Sequence, residues 1–142
     1  MTDIDRWAAE ILPLGEPYDP QAVADAARLT AELVRRLCHV TIDDTATPGP
    51  EHVDGVVADV KATVAGLPRL CRQLADRLQR FAGTPGLYAD ALARGAHPNL
   101  VIECAVMALR SAAATLHMAD DDLSVAHNHT ARLGVHDPKD AP

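Results

Sequence analysis

Aromatic side chains are nearly missing from this chain: among 142 residues only Trp7, Tyr18, Phe81 and Tyr88 carry a ring. The 48% hydrophobic content is instead mostly Ala, Leu and Val, side chains that suit closely approaching helices better than a thick β-sandwich core. Lysine is scarcer still, with Lys61 and Lys139 set against a much larger number of Arg. That usage is typical of a GC-rich bacterial coding sequence and carries no functional information. Cys38, Cys71 and Cys104 are an odd and widely spaced set with no CxxC, which excludes a disulfide framework or a thiolate zinc site. All three fall among apolar positions of expected helices, where a thiol acts as a small hydrophobe.

Positive charge is also short, with a formal net charge of −7. Affinity for nucleic acid draws heavily on Lys and Arg meeting phosphates, so the overall charge argues against a nucleic-acid partner. Thr2, Asp3 and Asp5 follow Met1 with no basic and apolar leader, and no run of 18 apolar residues occurs. These features lead us to expect a reduced cytoplasmic protein without a membrane partner. No P-loop, GxGxxG, GxSxG, HExxH or ExxH pattern is present, so no catalytic residue, metal site or cofactor is expected.

What is present is helical periodicity. Val53, Val57, Val60, Val64, Leu67, Cys71, Leu74, Leu78 and Phe81 recur at alternating spacings of four and three, the a and d positions of heptads. Pro68 falls within this ladder, and the heptad phase holds on both sides of it. One helix kinked near Pro68 is therefore expected over 51–82, rather than two helices. Asp19 as cap and Pro20 at the first helical position open another helix over 20–42, with Val23, Ala26, Thr30, Leu33, Leu37 and Val40 on one face. Pro98 opens a third, over 98–133, that is apolar around more than half its circumference. Ile102, Ala105, Leu109, Ala112, Ala113, Leu116, Ala119, Leu123 and Ala126 mark its apolar side.

Short helices are expected at 3–12, where Trp7 would anchor an N-terminal arm spanning 1–19, and at 87–94. A loose tail follows from 134. The whole reads as one all-α domain over 1–142, an antiparallel helical bundle. Three long helices do not complete a four-helix core, so a homodimer is expected to finish it. Trp7, Val53, Val57, Val60, Val64 and Leu67 are the candidate interface residues.

The polar features are few. His117 and Asp121 stand four apart on one helical face, as ligands on a helix must. Asp120 and His127, seven apart, point toward the apolar side, where a carboxylate needs a partner and an imidazole can supply one. The 51–82 helix offers no inward carboxylate to complete a metal site. Glu103, Arg110, His117, Ser124 and Asn128 form a polar stripe in which Arg110 could anchor an anion or an interface. The expected function is thus non-enzymatic and regulatory, exercised through homodimerisation and association with a protein partner; the alternative is a small-molecule or metal site, conceivably an enzyme's, near Arg110, His117, Asp120, Asp121 and His127. Arg69, Arg72, Arg77 and Arg80 offer a basic face that could dock an acidic partner or the phosphates of a nucleic acid, a second alternative, but it is more simply read as solvated and salt-bridged, as Arg35 and Arg36 also are. His39, His52, His97 and His136 lie near helix ends or in the tail without an evident partner.

Overall fold

The computed structural model describes residues 2–15, 17–90 and 95–134. The elements among them are all helical: α1 (Asp3–Ile11), α2 (Pro20–Val40), α3 (Pro50–Gln79) and α4 (Pro98–Thr130). Met1–Pro48 and Gly49–Pro142 form two compact units, and each is described by itself.

In the first unit, Thr2 caps α1. Its hydroxyl accepts from the Asp5 backbone N–H while the Asp5 carboxylate accepts from the Thr2 backbone N–H, a capping box. Asp19 caps α2 by accepting from Gln21 N–H at 2.9 Å, and Pro20 holds the first helical position, as its sequence predicts. The apolar side of α1 (Ile4, Trp7, Ala8, Ile11) and part of α2 (Ala26, Leu29, Leu33) line one shallow groove. Trp7 remains half exposed there. Glu32 receives hydrogen bonds from both Arg35 and Arg36, which hold its carboxyl below the usual range. These two arginines therefore form the solvated, salt-bridged surface expected of them.

The second unit is a hairpin of α3 against α4. The chain stays helical through Pro68, so the 51–82 expectation of one helix rather than two holds. Pro68 is buried, which places the ring of this residue in the helix contact. The small core consists of Ala75, Ile102 and Val106, with Leu78, Ala82 and Leu109 packed against it. Ala113 is buried further along α4. After α3 the chain turns through Gly83 and Gly86 at φ +78° and +79°, a backbone that L side chains rarely adopt. Gly83 N–H donates to Asn99 Oδ1 at 3.1 Å, tying this turn to the first turn of α4. His97 caps α4, its Nδ1 accepting from Asn99 N–H at 3.3 Å.

Two expectations change here. Residues 87–90 form no helix, and 91–94, the rest of that expected segment, lie outside the described residues, as does the tail from 135. Cys38 and Cys104 are exposed rather than packed, and Cys71 is half-buried. By length and composition α4 could also cross a membrane, its most apolar stretch having a mean hydropathy of 1.4 with 17% of it buried. The core helix of a bundle meets the same criterion.

The thin core makes its few members decisive. Replacing Ile102 by Ala should destabilise the protein by about 2–3 kcal/mol in urea denaturation, while Met107→Ala, on the exposed side of the same helix, should change stability by less than about 0.5 kcal/mol. Equal effects would show that the α3–α4 contact does not carry the fold.

Candidate functional site

The contact line between the two helices can be followed residue by residue. On α3 it runs Asp54, Val57, Lys61, Val64, Pro68, Cys71, Ala75 and Leu78, all buried or half-buried, and it continues past the helix end to Ala82. On α4 it runs Ile102, Val106, Leu109, Ala113, Leu116, Asp120, Leu123, His127 and Thr130, again all buried or half-buried. Both lines alternate in steps of three and four, as two antiparallel helices with one seam require.

The heptad ladder read from the sequence therefore divides. Val57, Val64, Cys71 and Leu78 face α4 within the chain. Val53, Val60, Leu74 and Phe81 do not, and each stays more than a third exposed, while Leu67 is half-buried. Of the candidate interface residues, Val57 and Val64 thus sit in the intrachain seam.

One end of the seam is polar. His127 Nδ1 lies 2.9 Å from Asp54 Oδ1, and Thr130 Oγ1 donates to the same oxygen at 2.5 Å. Thr130 Oγ1 also reaches the His127 carbonyl at 3.2 Å. The Asp54 and His127 side chains retain 24% and 32% of their exposure, so this contact is shielded more than a surface ion pair. Two sequence expectations are corrected by it. The partner of His127 is Asp54 and not Asp120, and α3 does offer an inward carboxylate. Asp54 is one residue away from Val53 of the ladder, and since Val57, Val64, Cys71 and Leu78 belong to both, the true contact line is rotated from that ladder by about 50°, half the step between successive residues. The helix-forming pattern alone could not reveal the rotation, since both lines have the same period.

Asp120 does point into the seam. Its Oδ1 is fully buried with no hydrogen-bond partner, while its backbone carbonyl accepts from Ser124 Oγ at 2.9 Å. The half-buried α3 residue two turns on from Asp54, and so level with Asp120, is Lys61. Ala58, Lys61, Ala62, Ala65 and His127 line a shallow open groove beside this part of the seam. His117 and Asp121 are exposed. Arg110 is exposed too, its Nη2 3.5 Å from Asp76 Oδ1 across the two helices. The five candidate ligand residues are therefore not brought together: Asp120 and His127 share the seam, and the other three lie on the outer surface. Among the described residues no group of three or more His, Cys, Asp and Glu is placed to hold a metal ion.

The Arg110–Asp76 pair also orients the hairpin. Antiparallel neighbours turn in opposite senses when viewed along one axis, so residues one position after the seam on both helices share a side. Asp76 follows Ala75 and Arg110 follows Leu109, and the pair bridges that side. With them lie Arg69 and Arg72 of α3, and Glu103, His117, Asp121 and Asn128 of α4. The residues one position before the seam share the other side. On α3 these are Val53, Val56, Val60, Thr63, Leu67, Leu70, Leu74, Arg77 and Phe81. On α4 they are Val101, Ala105, Ala108, Ala112, Thr115, Ala119, Asp122, Ala126 and His129. This side is apolar along both helices, with Arg77 and Asp122 as its charges. Arg77 lies over the Phe81 ring, 5.4 Å from its centroid, so it is separated from Arg69 and Arg72 and the basic face is split.

No family model, curated protein or solved structure matches this chain.

The Asp54–His127 contact is directly testable. In a double-mutant cycle of Asp54→Ala and His127→Ala followed by urea denaturation, we expect each single change to cost about 1–2 kcal/mol and the pair to couple by about 1 kcal/mol. Strict additivity would show that the two side chains do not interact in solution.

Proposed function

We propose that this protein is a non-enzymatic helical interaction protein, an adaptor or regulator that acts as a homodimer through the apolar side of its α3–α4 hairpin. The observation that supports this most is the α3 line from Val53 to Phe81. Its off-seam members Val53, Val56, Val60, Leu67, Leu70, Leu74 and Phe81, with Thr63 and Arg77 between them, repeat in steps of three and four beside the intrachain seam, and Leu70 and Leu74 stay nearly half exposed, at 47% and 48%. A sustained second seam on a helix calls for a second helix of similar length. The line spans about 42 Å, whereas α2, with 21 residues, is about 32 Å long. The α3 and α4 helices of another copy have the required length. Charge is sparse along this side, as it is at the core of protein interfaces.

We read α4 as a bundle helix rather than a membrane span, because Glu103 and Arg110 lie on its outer side and Asp120 and His127 lie in its seam. A second reading, a small ligand or metal ion held between α3 and α4 beside Asp120 and His127, is favoured by the unpartnered Asp120 oxygen. If nothing occupies that position, Asp120→Leu removes an unsatisfied buried acceptor and should stabilise the protein by about 1 kcal/mol in urea denaturation. Destabilisation would mean that the carboxylate has a partner, and would favour the ligand reading.

For association, light scattering of the full chain at micromolar concentration should give twice the chain mass. The double change Leu67→Glu and Leu74→Glu should give a helical monomer, since two buried charges in an apolar interface are strongly unfavourable. A monodisperse wild-type monomer would overturn the homodimer.

A further inference from the structure

We infer that the two copies pack with α3 of each chain against α4 of the other, so that all four neighbouring helices run antiparallel around a twofold axis parallel to them. The inference rests on the association proposed above and concerns which surfaces meet. The hairpin's apolar side is not uniform. Its α3 half presents Leu67, Leu70 and Leu74, whereas its α4 half presents Ala105, Ala108, Ala112 and Ala119 at matching heptad positions. Large side chains fill space best against small ones, because protein interiors pack to nearly crystalline density and leave few voids.

Two face-to-face arrangements are compatible with twofold symmetry. With the axis perpendicular to the helices, α3 meets α3 and α4 meets α4. Leucine then opposes leucine on one side of the bundle and alanine opposes alanine on the other, so one pair of helices is held wide apart and the other close. With the axis parallel to the helices, every leucine row of one chain meets an alanine row of the other, and all helix pairs settle at a common spacing. In either arrangement α4 gains a second neighbour beside its own α3, as its broadly apolar surface demands; only in the second is that neighbour the leucine-bearing helix.

The axis fixes the heights. A parallel twofold axis leaves each residue at its own level, so the partner's helices keep the register seen within one hairpin. Within the hairpin Asp54 meets His127, and Ala75 packs with Ile102 and Val106. Leu70 therefore stands level with Ala112 of the other chain, and Leu74 with Ala108. In the perpendicular arrangement, full overlap of the Val53–Phe81 line instead brings its midpoint, Leu67, against Leu67 of the second copy.

Single-cysteine variants separate these cases. In a full-length background with Cys38, Cys71 and Cys104 replaced by Ala, the proteins Leu70→Cys and Ala112→Cys are prepared separately, mixed, and oxidised with diamide. A disulfide needs Cα atoms within about 7 Å. We expect a covalent dimer on a non-reducing gel from the mixture and from neither protein alone; mixing separate chains removes any bond within one hairpin. Leu74→Cys mixed with Ala108→Cys provides an independent second pair, and circular dichroism verifies that each variant is helical. Crosslinking of Leu67→Cys alone would overturn the proposed packing in favour of α3 on α3. So would the failure of both mixtures while light scattering shows a dimer. A monomeric cysteine-free background, with wild type monomeric as well, would instead remove the association on which the inference rests.

Discussion

The second unit depends on one contact, the antiparallel seam between α3 and α4. Two helices can bury only one line of side chains on each, and here that line supplies a core of Ala75, Ile102, Val106 and Ala113. Such a core is small beside the conformational entropy that ordering two helices of 30 and 33 residues costs. The hairpin therefore leaves much apolar surface uncovered by its own seam. Its remaining apolar surface is a line of large side chains along α3 and a line of alanines along α4, placed on one side by the geometry of antiparallel helices.

The seam is graded along its length. Near the turn it is apolar, and Gly83 and Asn99 tie the connection. At the far end it becomes polar, where Asp54, His127 and Thr130 close the contact. Hydrogen bonds are directional and seam apolar contacts are not, so this cluster selects one register among those that a repeating apolar pattern would permit. Asp120, one heptad before His127, is the exception, its Oδ1 buried without a hydrogen-bond partner.

The polar side follows a different logic. Arg110 and Asp76 bridge the helices in solvent, where an ion pair contributes little, on the order of 0.5 kcal/mol. Arg69 and Arg72 share that side with Glu103 and Asp121, so the charges are mixed rather than basic.

Much of this was legible in the residues. Heptad spacing from Val53 to Phe81, Asp19 with Pro20, and Pro98 determined the long helices to within a few residues, because capping and periodicity are local properties of the chain. The continuity of α3 through Pro68 also followed from the unbroken heptad phase. The sequence indicated that Asp120 and His127 turn inward, but it could not name their surroundings. Two adjacent heptad lines on one helix have the same period, and only the position of α4 decided which of them became the seam. That choice moved Asp54 inward, gave His127 its partner, and left Val60, Leu67 and Leu74 to face away from α4. Periodicity determines that a helix has an apolar side. The angle at which a neighbour meets that side is a tertiary matter, because it depends on side chains far apart in the chain.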